Sequence, residues 1–181
     1  MQQIHHTGMI RKALLHFPQS LMQRRISQNA DTTPQSTLQT EAFMGRWYEQ
    51  ARFENVFESG LEHVYCDYAL LAPNRFRVYN CGFDASGRLH CAKGVARIPH
   101  AEAPAKLRVS FIPPYFWFSS PLHVLYTDAN YSEALISGSG DHYLWLLTRD
   151  RKPSRAAMAR LISESVRRNF DITQLHYTQQ H

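Results

Sequence analysis

Between residues 43 and 148 the chain is written as eight short runs of β-forming residues, each closed by turn residues, and only after the eighth does the apolar spacing become helical. Strands recurring every roughly 8–12 residues mark an antiparallel sandwich or barrel. Residues 47–53 form the first run. Residues 61–71 alternate, with Val64, Cys66, Tyr68 and Leu70 on one face and His63, Tyr65 and Asp67 on the other, as a half-buried strand does. Ala72-Pro73-Asn74 turns the chain. Phe76, Val78 and Asn80 then share a face opposite Arg75, Arg77 and Tyr79, and Asp84-Ala85-Ser86-Gly87 is a hairpin loop into the strand at 89–98. Runs at 106–111, 122–127, 131–137 and 143–148 complete the set. Beyond Pro153-Ser154, a start signal, Met158, Leu161, Ile162 and Val166 recur at helical spacing, so one amphipathic helix packs outside, and residues 175–178 add a short final strand.

Ala92, Gly94 and Ala96 occupy the presumed interior positions of the fourth strand, and a row of minimal side chains reserves room that a packed core would fill. Residues 1–41 differ from the rest: positions 27–40 are dominated by Ser, Thr, Gln, Asn, Asp and Pro, so they read as a poorly ordered tail or linker ahead of one domain at 42–181. No run approaches the roughly 18 apolar residues of a membrane span. Residues 10–17 are too short for a signal-peptide core and are broken by Arg11, Lys12 and His16.

Twenty Lys and Arg against 15 Asp and Glu give a formal charge of +5, a surplus that suits an anionic membrane surface or nucleic acid. The cations are scattered, Arg24-Arg25 and Arg167-Arg168 being the longest clusters, so they read as solvated faces and nucleic acid is not an expected partner. Cys66, Cys81 and Cys91 include no C-x-x-C, and no His cluster has metal spacing, so no metal site or cofactor is expected.

Three separated motifs coincide: Gly45-Arg46-Trp47-Tyr48 opening the first strand, Thr127-Asp128-Ala129-Asn130-Tyr131 at the turn between strands six and seven, and Arg149 ending strand eight. With Glu49, Ala51-Arg52-Phe53, Phe57-Glu58, Gly60 and Tyr143-Leu144-Trp145, they make the chain resemble the lipocalins. Within that family it is most similar to the bacterial lipocalins related to the outer-membrane lipoprotein Blc and to apolipoprotein D. The resemblance spans about residue 43 to the C-terminus. It implies an all-β fold, an eight-stranded antiparallel up-and-down β-barrel with one C-terminal α-helix packed outside. It further implies transport or storage of a small hydrophobic ligand, a fatty acid or lysophospholipid, by a monomer or weak dimer that is not an enzyme. A cell-envelope location, periplasm or outer membrane, follows from the resemblance too, although the first Cys is Cys66, deep in the barrel, and none precedes it for lipidation.

The motif residues have physical reasons of their own. Trp47 supplies a rigid plate at the closed end, and Arg149 can lie across its indole while bonding nearby carbonyls. Asp128 can accept from the backbone of its own turn, with Tyr131 as a nearby cover. By alternation Phe53, Val64, Cys66, Tyr68, Phe76, Val78, Val124, Tyr126, Tyr143 and Trp145 face inward and line the cup, core packing and ligand contact fitting each of them equally. Tyr115, Phe116, Trp117 and Phe118, in the connection between strands five and six, form an apolar lip at the mouth that admits lipid or docks on a bilayer, or else fold back over the rim. Glu49 shares parity with Trp47 and, if inward, requires a donor such as Tyr143, Asn80 or water. Cys81 and Cys91 share outward parity across the third hairpin, which permits a disulfide or leaves two free thiols. An enzymatic alternative rests on Cys66, which faces the cup where the lipocalin-type prostaglandin D synthase carries its nucleophile; an inert buried thiol is the competing expectation. His63, His90 and His123 are expected to face outward, which argues against haem.

Overall fold

The computed structural model describes residues 30–112, 119–138 and 140–180. After a one-turn helix α1 (Thr40–Phe43) come β1 (Gly45–Phe53), β2 (Glu62–Ala72), β3 (Arg75–Phe83), β4 (Leu89–Arg97), β5 (Lys106–Ser110), β6 (Ser120–Thr127), β7 (Glu133–Ser137) and β8 (Leu144–Thr148). Helix α2 (Arg155–Arg167), a 3-10 turn (Ile172–Gln174) and β9 (Leu175–Tyr177) follow. Each main strand pairs antiparallel with the next, and β1 pairs with both β8 and β2, so the sheet closes into a barrel and not a sandwich. β1 changes partner along its length: Gly45 to Tyr48 pair with β2, whereas Ala51, Arg52 and Phe53 pair with β9.

Apolar burial falls into two clusters. One fills the barrel, with Phe43, Trp47, Tyr68, Phe76, Leu107 and Val124 among its members; the other joins the outer wall to α2 through Ala51, Phe53, Leu125, Leu135, Leu146, Leu161 and Phe170. Ser154 caps α2, its side chain accepting from the Ala157 N–H at 3.1 Å. The helix buries Ala157, Leu161 and Ser165, with Met158 and Ile162 flanking, while Val166 is 51% exposed. The buried face thus sits one residue ahead of the expected stripe at its C-terminal end.

Two of the sheet's register shifts decide where Phe53 and Tyr126 point. In β1, Glu49 pairs with Leu147 and Ala51 with Leu146, so Gln50 is an extra residue; in β6, Val124 pairs with Ile136 and Tyr126 with Leu135, so Leu125 is extra. An extra residue reverses the parity of everything beyond it. Phe53 and Tyr126, expected inside by simple alternation, therefore stand outside the barrel against the α2 cluster, Phe53 meeting Phe170 edge-on at 6.0 Å between ring centroids.

Residues 30–39, part of the compositionally biased segment, run along the wall: Asp31 N–H donates to Arg168 O at 2.8 Å, Gln35 N–H to Val124 O at 3.0 Å, and Leu38 joins the interior cluster.

Candidate functional site

The closed end is built from the three motifs. Gly45 has φ +92°, and a Cβ there would lie 3.2 Å from Arg149 Nη1, so glycine answers both the backbone and the close approach. Trp47 is fully buried and donates from Nε1 to Phe43 O at 2.9 Å. The Arg149 guanidinium lies 3.9 Å from the centre of the Trp47 ring and donates to Arg46 O (2.7 Å), Ala42 O (2.7 Å), Met44 O (2.6 Å) and Tyr131 O (3.2 Å). One side chain ties α1, β1 and the β6–β7 turn into a floor. Asp128 sets that turn by accepting from Ser132 N–H at 2.6 Å and Glu133 N–H at 2.7 Å. Tyr48, by contrast, pairs with Thr148 on the outer face, under Arg151.

Above the floor the interior opens. Inward residues near the base, Trp47, Phe76, Ala96, Leu107, Val124 and Ala134, have no exposed surface, whereas Asn80, Ala92, Phe111, Leu122 and Trp145, higher on the same wall, are half-buried. Cys66, Tyr68 and Val78 lie between as expected, Tyr68 meeting Phe76 edge-on at 6.0 Å. Val64 is buried against Gly82, where a Cβ would fall 2.9 Å from its Cγ2. Tyr143 stacks on Trp145 at 5.7 Å. The expectation of empty room beside all three small residues of β4 is corrected: Ala96 belongs to the packed floor, and the space at Gly94 is taken by Phe111, whose Cδ1 would lie 2.8 Å from a Cβ there. Ala92 alone of the three remains half-buried.

A charged cluster stands on the same wall. Arg52, fully buried, donates to Glu49 Oε1 at 2.7 Å and to Glu58 O at 2.9 Å, and Thr178 donates its hydroxyl to the same Glu49 carboxylate. Trp145 Nε1 donates to Glu58 Oε2 at 2.9 Å, as does Asn55 Nδ2 at 2.7 Å. Burial, reinforced by the charge of Glu58, pushes the Glu49 carboxyl up to about 8 against the pull of Arg52. Burial works against the charge on Arg52, but Glu49, Glu58 and Glu54 outweigh it and hold its pKa above the ordinary value. Glu49 is therefore inward, but its donors are Arg52 and Thr178 and not Tyr143 or Asn80. Alternation hides the first, since a residue three positions away shares a face only across a bulge. Thr178 arrives from the other end of the chain.

Leu107, Val109, Phe111 and Leu122 also belong to the wall, although they are not among the expected lining residues; the alternation of Leu107 and Val109 in β5, continued by Phe111 just beyond it, and of Leu122 with Val124 carries the signal. Burial pushes the Cys66 thiol up to about 12, the opposite of what a nucleophilic thiolate requires. Cys81 and Cys91 face one another across β3 and β4 and are joined in a disulfide. Tyr126 lines an outer groove with Arg160 and Glu164. Tyr115, Phe116, Trp117 and Phe118 lie outside the described residues, among which no group of three or more His, Cys, Asp or Glu is placed to hold a metal ion.

Residues 38–180 match the lipocalin-like domain family. The chain is 33% identical over 148 residues to the outer membrane lipoprotein Blc of Vibrio cholerae, covering 81% of this chain and 85% of that one. It is 29% identical over 112 residues to mouse apolipoprotein D, covering 62% and 57%. Lobster apocrustacyanin A1 shares the fold at a TM-score of 0.64 and 20% identity, over 79% of this chain and 80% of that one. With its closed barrel, its Trp47–Arg149 floor and a match over nearly all of its described length, the chain belongs to the lipocalins, a family that binds small hydrophobic ligands.

Proposed function

We propose that this chain binds and carries an acyl lipid, a fatty acid or lysophospholipid, in the upper half of its barrel, and that it does so without catalysing a reaction. The observation that carries this reading is the gradient along the interior, from side chains with no exposed surface at the floor to half-buried Ala92, Phe111, Leu122 and Trp145 towards the mouth. A wall that is apolar with a few polar tips suits an acyl chain lying against it and a polar head directed to solvent. Cys66, Tyr68, Val78, Tyr143 and Trp145 are the wall positions that both alternation and packing support, with Phe76 and Val124 as the base beneath them. The aromatic sequence Tyr115, Phe116, Trp117 and Phe118, outside the described residues, is proposed to help admit lipid, on its amino-acid chemistry alone. The Cys81–Cys91 disulfide suits an oxidising compartment such as the cell envelope.

The test is titration with a dansyl-labelled undecanoic acid. Wild type is expected to bind it at micromolar concentration, displaceably by oleate or lysophosphatidylcholine. Ala92→Trp, which fills the cup from its wall, is expected to weaken binding at least about tenfold. A folded wild type that takes up no probe, or an Ala92→Trp variant that binds it undiminished, removes the carrier reading. For the lip, Phe116→Ser/Trp117→Ser is expected to lower liposome association; unchanged association removes that role.

A further inference from the structure

The cations that look scattered along the sequence are gathered by the fold. Strands β3, β4, β5 and β6 contain no Asp or Glu at all. On β3 the inward positions are Phe76 and Val78, so Arg75, Arg77 and Tyr79 point outward; on β5 Leu107 is inward, so Lys106 and Arg108 point outward. Register extends the pattern across the wall. Arg75 pairs with Arg97, Arg97 pairs in turn with Arg108, and Tyr79 pairs with Lys93.

Six Lys and Arg side chains therefore share one face of three neighbouring strands. Three of them, Arg75, Arg97 and Arg108, form a single cross-strand row, although like charges directly opposite one another destabilise a sheet. Two further cations stand near the Tyr79 ring, the Arg77 guanidinium 5.1 Å and the Lys93 ammonium 5.7 Å from its centre. Among the described residues, no carboxylate forms an ion pair with Arg75, Arg77, Lys93, Lys106 or Arg108. The nearest acid on the adjoining strand, Asp67, is held by Arg46 at 2.7 Å. Asp84 is engaged within its own hairpin by Ser86 and His90.

We propose that the outer face of β3, β4 and β5 is a docking surface for an anionic phospholipid bilayer. Charge complementarity identifies the occupant: cations on strands that carry no Asp or Glu, with one aromatic ring among them, meet the field of anionic headgroups, and a broad sheet face offers no element to enter a nucleic-acid groove. Position adds to this. Arg108 donates from Nε to the Ser119 hydroxyl at 2.8 Å, so the face reaches the residue just ahead of β6, at the end of the barrel opposite the floor. At the other end, Leu70 and Leu71 are 44% and 47% exposed at the turn leading to Arg75. The choice of a bilayer over other polyanions rests on the carrier reading above, since a lipid carrier must meet the membrane that supplies or receives its cargo.

The experiment is co-sedimentation of the full chain with vesicles of phosphatidylcholine containing 30 mol% phosphatidylglycerol, at low and high salt, with pure phosphatidylcholine vesicles alongside. Wild type is expected to bind the anionic vesicles, to release them as salt rises, and to ignore the neutral ones. Arg75→Gln/Lys93→Gln/Lys106→Gln removes three cations that line no cup. It is expected to weaken anionic-vesicle binding on the order of 100-fold while keeping wild-type affinity for the dansyl acyl probe. A charge-matched control, Arg151→Gln/Lys152→Gln/Arg155→Gln beside α2, is expected to bind nearly as wild type. The proposal is overturned if wild type ignores anionic vesicles, if the control loses as much binding as the face variant, or if a 30-base-pair duplex captures the protein more tightly than the vesicles do. Probe uptake is read separately: its failure removes the carrier reading, while the vesicle comparison still decides the face.

Discussion

Glu49 and Arg52 meet at 2.7 Å inside the barrel although they stand three residues apart on one strand. On a regular strand they would face opposite sides of the wall; the extra residue Gln50 turns both inward, and Gln50 itself donates outside to Thr148 Oγ1 at 2.9 Å. The bulge thus creates a buried carboxyl–guanidinium contact and, by the same reversal, sends Phe53 to the helix.

That pair makes stability depend on pH in a stated direction. The Glu49 carboxyl rises from 4.5 to about 8 on folding, chiefly through burial, so the folded state keeps a proton that the unfolded chain releases. Its contribution is fully present below about 4.5 and is lost as pH rises through about 8. Glu49→Gln cannot titrate. Urea unfolding from pH 5 to 8.5 is therefore expected to show wild type losing stability relative to Glu49→Gln as pH increases. Parallel pH profiles for the two proteins would remove the buried proton.

The barrel, its strand order and its floor were legible in the sequence because closely spaced turns, period-two alternation and the Trp47 and Arg149 motifs all reflect local chemistry. What alternation cannot register is a single extra residue: nothing in Val124-Leu125-Tyr126 distinguishes a bulge from three regular positions, and Tyr126 changes sides because of it. Likewise a small residue marks room only if no neighbour fills it, and Phe111, on another strand, fills the place beside Gly94. The outer basic face was hidden for a related reason. Arg75, Arg97 and Arg108 are far apart in sequence and adjacent only through the register of β3, β4 and β5.

Arg149 ties four backbone carbonyls and one indole together at the floor. Arg149→Ala leaves those carbonyls to water or to nothing, and a loss of about 3 kcal/mol in urea unfolding is expected. Arg149→Lys is expected to recover little, since a point ammonium does not reproduce the planar fork that reaches Ala42, Met44 and Arg46 at once. An Arg149→Ala protein with an unchanged midpoint would mean that the floor is held by other contacts.

The Cys81–Cys91 bridge spans a separation of 10 residues in the β3–β4 hairpin. Closing so short a loop restricts the unfolded chain modestly, and the double variant Cys81→Ala/Cys91→Ala is expected to lose about 2 kcal/mol. Intact-mass measurement with and without reductant should differ by about two daltons, the hydrogens added on reducing one disulfide. Equal masses would show two free thiols instead.

Cys66 offers the sharpest division between carrier and enzyme. Cys66 is buried on the inner wall beside Tyr68, and burial lifts its pKa to about 12, so almost none is thiolate near neutrality. A nucleophile needs the reverse, a cation or helix N-terminus drawing the proton away. Iodoacetamide at pH 7.5 is expected to alkylate Cys66 at least about 100-fold more slowly than free cysteine, which has a pKa near 8.5, and to reach the free-cysteine rate in guanidinium. Cys66→Ser is expected to keep acyl-probe binding within a fewfold of wild type, because the wall around it is unchanged. Rapid labelling of the folded protein would place an activated thiolate in the cup and reopen a catalytic role for it.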